Sequence, residues 1–162
     1  MAPLKMLLAL AAPSLLPLAL AKQVQFELNL TWQKGAPNGN VRDMIFMNDQ
    51  FPGPELRLDQ GDDVEVCTKT GLESSFMLNI HANQTQVVVN NNMPFNTSIH
   101  FHGIEQHGTP WADGVPGLTQ KPIQPGHSWT YRWKATQYGT YWYHAHARGE
   151  MMDGLYGPIW IQ

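Results

Sequence analysis

The chain has 162 residues, of which 43% are hydrophobic and only 14% charged, and its formal net charge is −3. This composition excludes a collagen-like, coiled-coil or charge-rich disordered chain, and ten Lys and Arg against thirteen Asp and Glu leave no basic surplus for binding nucleic acid. The 14 Gly and 12 Pro residues favour a turn-rich β protein, and the length fits one domain.

Residues 1–21 have the pattern of a secretory signal peptide. Lys5 precedes an apolar run over residues 6–20, and Ala19-Leu20-Ala21 supplies the small-x-small cleavage pattern. The run is interrupted by two prolines and is shorter than the roughly 20 residues that cross a bilayer. We therefore predict a signal peptide at 1–21 and a mature chain at 22–162, secreted or held in the cell wall, with no membrane span.

Glycosylation signals agree with export, and cysteine usage excludes a small domain held together by disulfides. Three N-x-S/T triplets begin at Asn29, Asn83 and Asn96, which fits a secreted glycoprotein. Cys67 is the single cysteine of the sequence, so no internal disulfide can form.

Short segments of strand-like pattern follow one another through the mature chain. They alternate apolar and polar residues or are rich in β-branched and aromatic residues, with turn residues between them. About eight such strands, some ten residues apart, predict an all-β antiparallel sandwich or barrel of a single domain. They cover residues 24–30, 44–46, 56–58, 64–66, 97–102, 128–133, 140–146 and 158–161.

One stretch, residues 67–86, does not fit this rhythm. Its apolar residues follow neither the helical nor the strand period, and it contains Cys67, His81 and one glycosylation triplet. A long surface loop is one interpretation, although so long a stretch without structure is unusual inside a compact domain.

The residues that point to chemistry are two copies of His-x-His, His100-Phe101-His102 and His144-Ala145-His146. On a strand each pair places both rings on one face, whereas on a helix the two rings would point about 200° apart. If the two strands are neighbours, four imidazoles meet in one pocket, and imidazole binds copper, zinc, iron or nickel. Leaving four buried rings without a partner would be costly, so we predict a metal site.

The other candidate residues are less specific. His81, His107 and His127 are solitary, and we expect them to be exposed polar residues. Asp113 is the first carboxylate after Trp111; it fits a plain turn, or a group beside a metal that orients water or accepts a proton. Trp111, Trp129 and Trp142 are expected in the core.

Around these histidines the chain resembles the first domain of fungal multicopper oxidases of the laccase type. The resemblance covers nearly all of the mature chain. It rests on the following segments: Asn48-Asp49-Gln50-Phe51-Pro52-Gly53-Pro54, His100-Phe101-His102-Gly103, Trp111-Ala112-Asp113-Gly114, Thr119-Gln120-Lys121-Pro122-Ile123, Gly139-Thr140-Tyr141-Trp142-Tyr143-His144-Ala145-His146 and Gly154-Leu155-Tyr156-Gly157.

The resemblance implies a cupredoxin fold, which is a Greek-key β-sandwich, with copper as the cofactor. It implies that His100 binds the type 2 copper, that His102 and His144 bind one copper of the type 3 pair, and that His146 binds the other. Asp113 is implied to be an acid that supplies protons to dioxygen. The family couples four one-electron oxidations of a phenol, pigment precursor or metal ion to the reduction of O2 to two waters.

The chain also departs from the family pattern. Lys121 stands where many relatives have the cysteine of an inter-domain disulfide, and Glu150 stands where Gln is more usual. In the family, four more histidines and the type 1 copper site lie in the last domain, and no histidine follows His146 here. We therefore expect a fragment or a truncated gene model, inactive alone. Its expected partners are the missing C-terminal cupredoxin domains of the same oxidase, O2 and an unidentified small-molecule reductant.

The resemblance gives residues 67–86 a second interpretation. In relatives a Gly-Asp-Asp-Val-Glu-Val type strand continues directly into Val-Asn-Asn and the first His-x-His. Twenty extra codons preserve the reading frame, so we predict an insertion at 67–86 that arises from a retained intron or a gene-model error.

Two other functions remain open at this point. One is a stand-alone, non-enzymatic cupredoxin domain that binds copper weakly and lacks the blue colour of a Cys–copper site. The other is a mononuclear zinc or iron enzyme built on one His-x-His and a third ligand.

Overall fold

The computed structural model describes residues 23–64 and 85–162, which form nine strands and one 3-10 turn. The all-β prediction is confirmed. The strands are β1 Gln23–Gly35, β2 Arg42–Met47, β3 Leu56–Leu58, β4 Asp63–Val64, β5 Thr85–Asn91, β6 Ile99–His102, β7 Ser128–Lys134, β8 Gly139–Ala145 and β9 Tyr156–Ile161; the 3-10 turn is Pro110–Ala112.

The strands form two sheets that pack as a sandwich. One sheet has the order β2-β1-β4-β5-β7 and the other β3-β9-β8-β6. Both sheets are mixed, because β1 runs parallel to β4 and β5, and β3 runs parallel to β9. The prediction of an antiparallel sandwich is therefore wrong in this respect. Parallel neighbours need a crossover connection, which short-range turn patterns do not reveal.

The core lies between the sheets and is built by alternation along each strand. In β6, Ile99 and Phe101 are buried while His100 and His102 face outward. The Phe101 ring packs against that of Tyr131 in β7, with centroids 5.2 Å apart. The Tyr131 hydroxyl also accepts a hydrogen bond from the Ile99 backbone N–H at 2.9 Å, which connects the two sheets.

Strands β4 and β5 both lie between β1 and β7, as two parts of one interrupted strand whose broken ends pair with each other at Val64 and Thr85. Along β1, Val24 pairs with Val64, and the next residue, Gln25, pairs with Gln86. Along β7 the adjacent residues Lys134 and Trp133 pair with Asp63 and Thr85. Both neighbouring strands therefore keep a continuous ladder, although the chain between β4 and β5 is long.

Several predictions concern residues outside the described ranges: the signal peptide at 1–21, Cys67, His81 and the triplet at Asn83. Of the predicted insertion, only Thr85 and Gln86 are described, and both belong to β5. Within the two described ranges, no helix has the length and apolar character needed to cross a bilayer.

Candidate metal centre

The two His-x-His segments lie on neighbouring strands. β6 pairs antiparallel with β8 so that His100 is opposite His144 and His102 is opposite Trp142. The buried residues between them, Phe101 and Tyr143, point into the core and leave the imidazoles on the outer face of this sheet. The expectation of four buried imidazoles is wrong, since the rings are half-buried or exposed. The reason is that the histidines lie on the outer face of the sheet.

The four rings form one cluster. The ring centroid of His100 lies 5.7 Å from that of His102, 5.4 Å from that of His144 and 5.5 Å from that of His146. The His102 and His144 centroids are 5.5 Å apart, and those of His144 and His146 are 6.4 Å apart. One nitrogen from each of His100, His102 and His144 lies within 4.8 Å of the other two. This spacing lets a metal ion be shared by three imidazoles.

His100 is oriented by the loop that follows the 3-10 turn. Its Nδ1 lies 2.7 Å from the backbone oxygen of Asp113 and 3.2 Å from Oδ1 of the same residue. Because a carbonyl oxygen only accepts, Nδ1 carries the proton, which leaves Nε2 as the nitrogen available to a metal. Gly114 permits this approach: its φ is +78°, and a Cβ there would lie 1.8 Å from the Ile99 oxygen.

His144 is held by a similar hydrogen bond and by an aromatic neighbour. Its Nδ1 donates to the Ala145 oxygen at 2.9 Å, so the lone pair of Nε2 faces His102 Nδ1 at 3.2 Å. The Trp142 ring packs on His144 at 4.4 Å and on His102 at 5.3 Å between centroids. Burial lowers the pKa of His144, and the charges of the other three histidines lower it further. The ring is thus neutral near pH 7, as a metal ligand must be.

The structure departs from the predictions at three positions near the cluster. β8 ends at Ala145, so His146 lies just beyond the strand, although its backbone N–H still donates to the Ser98 oxygen at 3.2 Å. Trp111 is 54% exposed and Trp142 lies on the histidine face, so the assignment of both to the core is wrong, whereas Trp129 packs against the core as expected.

The other two histidines within the described residues lie in turns away from the two histidine-bearing strands. His107 and His127 are both exposed, and His127 Nδ1 donates to the Pro125 oxygen at 3.0 Å within its own turn. The packing of Trp142 on two histidines was not predicted; the signal was its position beside the second His-x-His, two residues before His144 on the same face of β8.

The chain matches the family model described as multicopper oxidase over residues 29–86 and 82–162. It is 53% identical over 144 residues to the laccase abr2 of Aspergillus fumigatus, a match that covers 89% of this chain and 21% of that protein. The chain spans about a fifth of the length of the curated relatives that it matches.

Solved structures give the same result. The chain superposes on the laccase from Botrytis aclada with a TM-score of 0.72 at 36% identity, covering 88% of this chain and 23% of that one. It superposes on Fet3p, a multicopper oxidase that functions in iron import, with a TM-score of 0.70 at 34% identity, covering 87% and 23%.

The fold and the outward histidine cluster together define a cupredoxin domain with a candidate metal centre. The chain belongs to the multicopper oxidase family, and copper is its cofactor. The donor set fits this metal, because it consists of imidazole nitrogens and two of the rings are fixed by hydrogen bonds to backbone oxygens.

Proposed function

We propose that this chain is the first copper-binding domain of a laccase-type multicopper oxidase and donates His100, His102, His144 and His146 to a trinuclear copper cluster. In this proposal His100 serves the type 2 copper, His102 and His144 one type 3 copper, and His146 the other. The observation that carries the proposal is the convergence of three imidazole nitrogens within 4.8 Å in a chain of this family.

Bound copper supplies one-electron redox chemistry, which in an oxidase couples oxidation of the substrate to reduction of O2 to water. The chain's own residues hold and orient the ligands. The Asp113 carbonyl fixes the His100 ring, and the Trp142 ring covers one side of His144 and His102. The Asp113 carboxylate, 32% exposed at the edge of the cluster, is proposed to hold a proton for the reduction.

The proposal includes secretion by the signal peptide at 1–21 and completion of the cluster by later cupredoxin domains of the same oxidase. The relatives include laccases and a multicopper oxidase of iron import. The substrate is therefore proposed to be a phenol, a pigment precursor or a metal ion, and it is selected outside the residues of this domain.

Metal titration of the purified chain tests the ligand set. We expect copper to bind more tightly than zinc, without the blue colour of a Cys–copper site. His100→Ala and His144→Ala should each weaken copper binding at least about tenfold, because a ligand matters no less than the groups that orient it. His127→Ala, at an exposed histidine in a turn, is the matched control and should bind copper like the unchanged chain.

Two results would contradict the proposal. Preference for zinc, or indifference of copper binding to His100→Ala and His144→Ala, would refute the copper ligand set. Oxidation of a phenol by this chain alone would refute its role as one part of a larger catalytic unit. In the longer oxidase that contains this domain, His144→Ala should abolish phenol oxidation and His127→Ala should not.

A further inference from the structure

A buried acid that the proposed copper chemistry does not use lies in the turn after β8. Glu150 is 3% exposed, and Thr97, just before β6, is fully buried. The Thr97 hydroxyl donates a hydrogen bond to Oε2 of Glu150 at 2.5 Å. The other carboxyl oxygen, Oε1, is buried and has no hydrogen-bond partner within the described residues. The Thr97 hydroxyl is thus the side-chain contact that holds this carboxyl.

The backbone of Glu150 organises the turn in which it lies. Its N–H donates to the Ala147 oxygen at 3.0 Å, and its oxygen accepts from the Leu155 N–H at 3.1 Å. The Leu155 oxygen in turn accepts from the Ala145 N–H at 3.0 Å. The turn is therefore folded back on the end of β8, immediately beside His146.

Thr97, the partner of Glu150, is also held by backbone hydrogen bonds. Its N–H and oxygen exchange hydrogen bonds with Ile123 at 3.1 and 2.7 Å. The next residue, Ser98, accepts the hydrogen bond from the His146 N–H at 3.2 Å. Two neighbouring hydrogen bonds, one between side chains and one between backbones, thus join the start of the first histidine segment to the end of the second.

We propose that Glu150 is a positioning residue that, through the Thr97 hydroxyl, fixes His146 relative to His100. His146 lies beyond the last residue of β8, so a regular ladder does not hold it. The His146 N–H connects this segment to Ser98 by one backbone hydrogen bond, and the buried Thr97–Glu150 contact adds a second connection. The inference rests on the proposed function, since it affects copper only if both histidines are ligands.

Four variants separate this role from general packing. Thr97→Val and Glu150→Leu remove the hydrogen bond from either side with little change in volume. Glu150→Gln keeps an oxygen that accepts from Thr97, and Thr97→Ser keeps the hydroxyl that donates. The matched control is Glu105→Gln, which changes an exposed carboxyl.

The first measurement is hydrogen exchange of the His146 backbone amide in the metal-free chain. We expect Thr97→Val and Glu150→Leu to speed this exchange about tenfold, the size expected for one buried hydrogen bond. Glu150→Gln, Thr97→Ser and Glu105→Gln should leave it within about twofold. The Asn92 amide, bonded to the Leu30 oxygen, is the internal reference and should not change. An unchanged His146 amide, or an equal change at Asn92, would overturn the inference.

The second measurement is copper affinity of the same variants. It should fall about tenfold in Thr97→Val and Glu150→Leu and recover in the two conservative variants. If the unchanged chain binds no copper, the proposed function fails, while the amide measurement still decides the positioning role. If copper binds with equal affinity to all variants, the ligand set survives and the positioning role is refuted. Should Glu150→Leu fail to fold, Thr97→Val alone gives both results.

Discussion

The backbone N–H of Ile99 and the hydroxyl of Tyr131 meet at 2.9 Å in the middle of the core, one residue before His100. Both residues are fully buried. Burial raises the pKa of the Tyr131 hydroxyl, so it stays neutral throughout the physiological pH range. This contact joins the histidine-bearing sheet to the opposite sheet and fixes the position of β6 within the sandwich.

Tyr131→Phe removes the acceptor and leaves the Ile99 N–H unsatisfied in the core. We expect a loss of about 1–3 kcal/mol in the free energy of unfolding, measured by urea denaturation. Copper affinity should also fall, since His100 follows Ile99 directly. Tyr138→Phe changes a ring that is 75% exposed and serves as the control. Equal stability of the two variants would show that the Ile99 contact contributes nothing.

Gly114→Ala tests whether the approach of Asp113 to His100 needs a glycine. The new methyl group would meet the Ile99 oxygen at a left-handed backbone position, φ +78°. We expect a destabilisation of about 3 kcal/mol together with weaker copper binding. Gly117 has nearly the same φ, +79°, but open space around it. Gly117→Ala should therefore cost only about 1 kcal/mol and leave copper binding unchanged. Similar effects of the two substitutions on copper binding would contradict this explanation.

Deleting the segment 65–85 should leave a stable sandwich. The deletion joins Val64 to Gln86, which already pair with the adjacent residues Val24 and Gln25 of β1, so that ladder stays in register. On the other side, Val64 takes the place of Thr85 opposite Trp133 of β7. We expect the melting temperature of this variant to equal or exceed that of the unchanged chain.

Deleting only 65–84 is the matched control for this experiment. It leaves one extra residue between the two half-strands, which must form a bulge or shift the strand. We expect the melting temperature of this second variant to be lower than that of the first. The opposite order would refute an insertion within one strand.

The origin of this stretch is tested in transcripts. The predicted insertion at 67–86 is one residue shorter than the segment 65–85, which interrupts the pairing of β4 and β5 with β1. The match to the family model also falls into two parts, which meet at residues 82–86. Reads that skip the stretch in frame would identify a retained intron. Reads that cross it intact at full depth would refute that origin.

Stability should fall between about pH 4.5 and 7 because of Glu150. Burial raises the pKa of its carboxyl from 4.5 to about 7, against the hydrogen bond from Thr97 and the charge of Arg148, while Asp153 raises it further. Below pH 4.5 the Glu150 carboxyl is protonated in both the folded and the unfolded chain. As pH rises toward 7 the unfolded form ionises first, so folding loses about 1–3 kcal/mol. Asp153 itself pairs with Arg42 at 3.0 Å.

Glu150→Gln removes this titration, so the fall in stability with rising pH should disappear, while the lowered pKa of His144 still makes stability rise with pH. The measurement is urea denaturation of both proteins at pH 4.5, 6 and 7.5, with Glu105→Gln as the control. A parallel fall with pH in the unchanged chain and in Glu150→Gln would assign the dependence to other groups.

The sandwich follows from local sequence, whereas the neighbouring positions of the two His-x-His strands do not. Alternation places Phe101 in the core and the histidines on the opposite face, and the resemblance to a known family supplies the pairing of the strands. The roles of the four histidines and Asp113 as ligands and acid remain predictions. Alternation also does not show which of the two faces of the sheet is exposed to solvent, so the outward position of the histidines could not be predicted.

Local sequence could not predict the contacts between residues that are distant along the chain. The pairing of β1 with β5 is parallel and spans about 60 residues, so no turn signal marks it. The hydrogen bond between Thr97 and Glu150 joins positions 53 apart, so the burial of this acid cannot be inferred from its own turn. Trp111 lies in a 3-10 turn and not in a strand, so strand alternation does not predict its exposure.

The outward direction of the imidazoles determines when metal can enter. No ring of the cluster lies among the buried core residues, so this sandwich does not need copper to close. We expect metallation to follow folding rather than drive it, and withdrawal of copper by a chelator to leave the fold intact. Loss of the native circular dichroism on chelation would contradict this order of assembly.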